Sequence, residues 1–227
     1  GLNFIEAARN DSHDSRKNKR QFAIDALALE YFDKYALKFL RDDFPNIPLD
    51  ANSAVWFEQE VDEASSSQIT DLWINLVEKH NGDLSNSWIA MNEKDKLKFV
   101  EFRHRISTKV NEFIASHNFR KLGTDFAVPN RELKKFYFQL KDDVNKAGLD
   151  YVIYGHFGNS HIHLNTLPKN SEEFETAKKL YNKMCISAIN SGGTFAAEHG
   201  VGKNKKLLLY EMYDEKVMTE MWEIKQT

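Results

Sequence analysis

The spacing of apolar and polar positions changes several times along the chain, and each change marks an element. Residues 1–20 are polar, rich in Asn, Asp, Ser, Lys and Arg, and predict a linker or loosely held arm. Over residues 22–44 apolar side chains recur at helical spacing until Pro45 and Pro48 end the run. Residues 53–61 read as a strand, 67–80 as a helix, Asn81-Gly82-Asp83 as a turn, and 87–91 as a short strand. A long charged helix is expected over 93–117 and a strand over 124–128, stopped by Pro129. Asn130 is placed to cap a helix reaching Lys146, with Ala147-Gly148 as its terminator. Residues 151–165 read as strand, glycine-bearing bend, strand. Ser171 is expected to cap the next helix, whose Glu172 and Glu173 suit the positive end of the helix dipole, and Gly192-Gly193 to close it. Residues 194–197 are expected to be extended, and a helical pattern resumes from Lys203.

Strands separated by helices, with a hairpin among them, predict the α+β class: a ferredoxin-like antiparallel sheet with helices packed mainly on one face. Residues 1–20 are expected to lead in from a preceding region and residues 21–227 to form one domain. The chain opens on Gly1 and stops at Thr227 within a helical pattern, so it is read as a piece of a longer protein.

Charge and cysteine content narrow the function classes. A net charge of -3 supplies no basic field, so no nucleic-acid partner is expected. The runs Arg16-Lys17-Asn18-Lys19-Arg20 and Lys203-Asn204-Lys205-Lys206 read as solvated surface. No apolar run reaches the length of a membrane span. Cys185, the one cysteine, excludes an internal disulfide and a thiolate metal cage; it suits a reducing cytoplasm, and its helical setting beside Tyr181 and Met184 predicts a core position.

Two clusters carry chemistry. The first places His156, His161 and His163 around the bend Phe157-Gly158-Asn159-Ser160. Strand alternation puts His161, His163 and Asn165 on one face, and imidazoles converging from adjacent strands can share a metal ion. Polar loop histidines without a metal are the plain alternative. The second cluster is Gly192-Gly193-Thr194-Phe195-Ala196-Ala197-Glu198-His199-Gly200-Val201-Gly202. Here glycines let the backbone turn and approach closely around a Glu-His pair. Glu198 could supply an anionic metal ligand and His199 a general base near neutral pH, whereas a surface turn after a helix is the plain alternative.

Together the clusters resemble the C-terminal, substrate-binding domain of FAD-linked oxidases of the vanillyl-alcohol oxidase type. The similar branch is that of D-lactate and D-2-hydroxyglutarate dehydrogenases and the glycolate oxidase flavin subunit. That branch carries G-H-x-G-D-G-N-x-H-x-N, matched here by Gly155-His156-Phe157-Gly158-Asn159-Ser160-His161-Ile162-His163-Leu164-Asn165. It also carries G-G-[ST]-x-x-x-E-H-G-x-G, matched fully by residues 192–202. Lys121-Leu122-Gly123-Thr124-Asp125-Phe126-Ala127-Val128-Pro129 is similar to the family's D-x-x-x-P strand, so the resemblance covers residues from about 20 to the end.

The resemblance implies that His156, His163 and Glu198 bind a divalent metal, zinc, manganese or iron. It implies that His199 removes the hydroxyl proton of a 2-hydroxy acid, D-lactate-like, while hydride leaves C2 for FAD. Asn165 would contact the substrate. Arg103, preferred over Arg105 in Phe102-Arg103-His104-Arg105-Ile106-Ser107, would bind its carboxylate, with Lys121 a further substrate contact. It also implies a preceding FAD-binding domain, a quinone, cytochrome or electron-transfer flavoprotein as electron acceptor, and a cytoplasmic place of action that could be peripheral at the inner face of the membrane.

Three positions depart from the pattern: Asn159, Ser160 and His161 stand where D-G-N is expected. The aspartate's charge is lost, and His161 could add a metal ligand or touch the substrate. No phosphate-binding loop follows a strand, and Gly200-Val201-Gly202 lacks the strand–turn–helix setting of a dinucleotide fingerprint. The chain is therefore expected to be the substrate domain of a larger flavoenzyme, inactive without its FAD domain. Two alternatives remain. His161-Ile162-His163-Leu164-Asn165 resembles the core of histidine-triad zinc hydrolases, with Asn165 in the nucleophile's place. The chain could also be a non-catalytic metal-binding subunit of a split oxidase.

Overall fold

A computed structural model describes residues 1–90, 92–203 and 205–226. Met91 of the expected strand, Asn204 of the second basic run and Thr227 lie outside these residues. The chain forms two compact units, residues 1–116 with 152–159 and residues 117–151 with 160–227. Both combine helices with antiparallel strands, the α+β class expected from the alternation of patterns.

The first unit is built around β1 (Ala28–Asp33), which pairs antiparallel with β2 (Ser53–Glu58) on one side and β4 (Tyr151–Gly155) on the other. The register sets Glu30 opposite Trp56, and Tyr31 opposite Gly155. Residues 22–44 are thus not one helix. β1 is buried on both faces, so its sequence reads as a continuous apolar run, and such a run has no period to separate strand from helix. Asp33 ends the strand and starts α2 (Lys34–Leu40). Its buried Oδ1 accepts from the backbone N–H groups of Tyr35, Ala36 and Ile153, at 3.1, 2.8 and 3.2 Å.

Residues 2–18, expected as an arm, form helix α1 (Leu2–Asn18). Polar composition hid a narrow face on which Phe4, Ile5 and Ala8 are followed by the small Ser12 and Ser15, all buried. The Phe4 ring meets Phe57 and Trp73, which stack on each other at 4.2 Å. The helices α3 (Ser66–Lys79) and α4 (Glu93–Ser116) agree with the apolar spacing. Residues 87–90 form no strand. Trp88 stacks on Phe99 and meets Phe102 edge-on, so helix packing takes up the side chain that suggested a strand.

The second unit holds β3 (Phe126–Ala127), α5 (Leu133–Lys146), β5 (His161–Thr166), α6 (Ser171–Asn190), α7 (Leu209–Met212) and α8 (Glu215–Gln226). β3 and β5 are antiparallel, with Phe126 opposite Ile162 and Ala127 opposite His161, and Gly123 bridges to Asn165. Two expected caps differ. Asn170 rather than Ser171 caps α6, accepting from the Glu173 N–H at 2.9 Å. Asn130 opens a short 3-10 turn before α5, and its Oδ1 accepts from the Ser160 hydroxyl at 2.7 Å. Gly148, at φ 66°, ends α5 in the left-handed conformation as expected.

If α1 belongs to the core, Phe4→Ala lowers the unfolding free energy by about 3 kcal/mol in a urea titration, as for a buried aromatic. A loss below about 0.5 kcal/mol, the range of surface substitutions, would return residues 1–20 to the status of an arm.

Candidate functional site

All six residues of β5 are buried, and four of them are polar. Alternation sends Ile162 and Leu164 to one face and His161, His163 and Asn165 to the other, so a row of buried imidazole and amide groups must find partners within the second unit. The His163 Nδ1 lies 3.1 Å from the Thr124 carbonyl oxygen. Nδ1 therefore carries a proton, and in the neutral ring the lone pair is on Nε2, which faces Glu198 Oε1 at 3.2 Å. The His161 Nε2 lies 2.8 Å from Asp125 Oδ1, which places that ring's lone pair on Nδ1, 3.9 Å from Glu198 Oε2. His199 Nε2 is 3.3 Å from Glu198 Oε1, and its ring is the most exposed of the three.

Two backbone features bring Glu198 and His199 to this face. After α6 the chain turns at Gly192, φ 74°, and Thr194 pairs with Ala127 through hydrogen bonds of 2.8 and 3.1 Å. A Cβ at Gly193 would stand 2.2 Å from the Ala127 carbonyl oxygen, so only glycine lets the two backbones come this close. The extended segment expected over 194–197 is reduced to the bridge at Thr194, because from Glu198 on the chain folds over Asp125. The Asp125 carboxylate accepts from the Glu198 N–H at 3.2 Å and the His199 N–H at 2.9 Å, and Lys205 Nζ stands 3.8 Å from it. Burial pushes the Asp125 pKa up, but the His199 and Glu198 N–H groups, the His161 ring and Lys205 outweigh it and hold the carboxyl below its ordinary value.

Asn165 and Lys121 converge at Gly123. A Cβ there would lie 3.2 Å from Asn165 Oδ1 and 3.1 Å from Lys121 Cε. Asn165 Oδ1 is buried without a hydrogen-bond partner among the described residues, and burial lowers the Lys121 pKa. The loop departure at Ser160 has a physical basis too. Ser160 sits at φ 54°, the left-handed region where the family pattern has glycine, and its hydroxyl bond to Asn130 holds it there.

In the first unit His156 and Arg103 share one carboxylate. Buried Glu30 has both oxygens 2.8 Å from His156 Nδ1, and Oε1 is 2.9 Å from Arg103 Nη2. The Arg103 guanidinium lies over the Trp56 ring at 5.5 Å. Arg105, the candidate passed over, pairs instead with Asp43 and Glu112. A carboxylate on a histidine's Nδ1 fixes the tautomer that carries its lone pair on Nε2, the arrangement found around metal-ligating histidines.

Of the residues expected from sequence, His163, Glu198 and His199 come together in the second unit, where Asn165 and Lys121 also meet, while His156 and Arg103 meet in the first. Glu30 was missed, although a lone carboxylate inside an apolar strand is a signal in itself, since it needs partners to be buried. Asp125 was read only as part of a strand.

The Asp125 shift has a pH consequence. Its folded pKa is depressed, so its stabilisation is present above the ordinary carboxyl range near pH 4 and is lost as pH falls through the lower folded value. In thermal melts between about pH 2 and 6, Asp125→Asn is expected to flatten the acid limb and lower the plateau above it; an unchanged acid limb would remove Asp125 as its source. Glu30→Gln keeps the volume but leaves Arg103 without its anion, and is expected to destabilise by about 1–3 kcal/mol, the cost of an unpaired buried hydrogen-bonding group. Calorimetric unfolding checks it.

No helix among the described residues is long and apolar enough to cross a membrane. The family model for FAD linked oxidases, C-terminal domain, matches residues 13–227. The chain is similar to D-lactate dehydrogenase [cytochrome] 1, mitochondrial, of Saccharomyces cerevisiae, at 35% identity over 45% of this chain and 17% of the yeast protein. It is similar to the glycolate oxidase subunit GlcD of Bacillus subtilis, at 30% identity over 36% of this chain and 18% of that protein. It also matches the probable mitochondrial D-lactate dehydrogenase of Danio rerio, at 22% identity over 64% of this chain and 30% of that protein. The chain thus spans under a third of each of these relatives. With nearly its whole length matched, the chain belongs to the FAD linked oxidases, C-terminal domain family.

Proposed function

We propose that this chain is the substrate domain of an FAD-dependent dehydrogenase of D-2-hydroxy acids, with a D-lactate-like substrate. The observation that supports it best is the set of His163, Glu198 and His199, in which two imidazoles stand 3.2 and 3.3 Å from one carboxylate oxygen. Glu198 and His163 fit a divalent cation by their chemistry. The Thr124 carbonyl holds the His163 proton on Nδ1, so the nitrogen that faces Glu198 is the one with the lone pair. The resemblance adds His156 to the ligands, and the Glu30 contact at its Nδ1 gives it the matching tautomer.

A divalent metal held by these residues would supply polarisation of the substrate hydroxyl, and FAD would supply the hydride acceptor. The residues of this chain bind and move the proton. His199, with the most exposed of the three rings, takes it from the hydroxyl, and Glu198 beside its Nε2 stabilises the imidazolium that results. Asn165 and Lys121, meeting at Gly123, and Arg103 from the resemblance are the substrate contacts. A guanidinium is suited to a carboxylate because its parallel N–H groups match the two oxygens. A preceding FAD-binding domain and a quinone, cytochrome or electron-transfer flavoprotein as acceptor would complete the enzyme. The buried Cys185, its thiol pushed up to about 11 by burial, suits the reducing cytoplasmic compartment proposed for the enzyme.

The test uses the full-length flavin-loaded protein without oxygen. D-lactate, D-2-hydroxyglutarate, glycolate and the L-isomers are added singly while the flavin absorption is followed. One D-acid is expected to bleach the flavin, a chelator to stop the bleaching, and His199→Ala to slow it about 10²–10⁴-fold. Bleaching that survives His199→Ala unchanged removes the base assignment. No bleaching by any hydroxy acid removes the function.

A further inference from the structure

We propose that His161 is a further ligand of the cation proposed above, beside His163 and Glu198, with Asp125 and the Thr124 carbonyl setting these two imidazoles. The inference rests on the metal reading above and adds His161 to the ligands. The family pattern has asparagine at this place, so the third imidazole of the loop calls for a physical account of its own.

The geometry supplies one. Zinc binds imidazole nitrogen and carboxylate oxygen at about 2.0–2.2 Å, so neighbouring ligand atoms stand about 3.4 Å apart in a tetrahedral site and about 3.0 Å apart in an octahedral one. Here the two oxygens of Glu198 each face a different ring, Oε1 at 3.2 Å from His163 Nε2 and Oε2 at 3.9 Å from His161 Nδ1. The two rings are neighbours on one strand face, with centroids 4.4 Å apart. The half-exposed Glu198 side chain can turn to close the longer distance, whereas both histidines are held by β5.

The outer groups agree with this assignment. Asp125 takes the proton-bearing Nε2 of His161 at 2.8 Å, and the Thr124 carbonyl takes Nδ1 of His163 at 3.1 Å. In each ring the nitrogen left with the lone pair is the one on the Glu198 side. With His161 added, three imidazoles and one carboxylate leave two positions of an octahedral cation, enough for a 2-hydroxy acid to chelate through its hydroxyl and one carboxylate oxygen.

The test uses the full-length protein with 15N-labelled histidine, followed by NMR of the ring nitrogens during a Zn2+ titration. His161→Asn, which restores the family residue, assigns the His161 signals and gives the variant affinity by calorimetry. Zn2+ is expected to move His161 Nδ1 and His163 Nε2 together. His161→Asn is expected to weaken Zn2+ binding at least tenfold, and Asp125→Asn about 10–100-fold, the range for carboxylates that orient a ligating histidine. If Asp125→Asn fails to fold, the parent's ring shifts decide alone. Movement of His163 Nε2 with His161 Nδ1 unchanged overturns this inference and leaves the metal reading standing. A parent that binds no Zn2+ overturns both.

Discussion

A carboxylate taken out of water must be surrounded by donors, and the second unit is organised by how Asp125 meets that demand. Its oxygens collect the His161 ring and the N–H groups of Glu198 and His199. These come from β5 and from the loop after α6, segments far apart in the chain. The same charge therefore fixes a tautomer on one side and the path of the Glu-His loop on the other. Unpaired, it would be among the most costly groups in the unit to bury; paired, it leaves the loop few other places to lie.

Glu30 occupies a comparable position in the first unit, on the central strand β1. Its oxygens serve a histidine and an arginine at once, so one buried charge orients an imidazole and balances a guanidinium that also lies over Trp56. Both units thus use an acidic side chain that belongs to no metal set proposed above, but which determines how the rings beside it are protonated. This arrangement explains why the buried face of β5 and the strand β1 keep polar residues where apolar ones would pack more simply.

The helices α3, α4 and α5 and the strand β2 were legible because half-buried elements print their period in the sequence, while β4 and β5, though buried, were legible through the glycine-bearing bend between them and the alternating polar residues of β5. β1 was not, since burial on both faces erases the period. α1 was not, since a face carried by Phe4, Ile5, Ala8 and two serines is too narrow to show against its polar remainder. At the site, side chains that touch a ligand were legible through the two motifs. Glu30 and Asp125 were not, because a carboxylate that acts through another side chain has a partner distant in sequence, and only the fold brings the two together.

The close approach at Gly193 has a consequence at the level of the gene. Every codon change that replaces a glycine with another amino acid adds a β-carbon, and here that carbon would fall within 2.2 Å of a backbone oxygen that cannot turn aside. Position 193 therefore admits only synonymous substitution without displacing the Glu-His loop. In a population of sequences it would stay fixed even where the hydroxy acid, the metal and the electron acceptor had all changed.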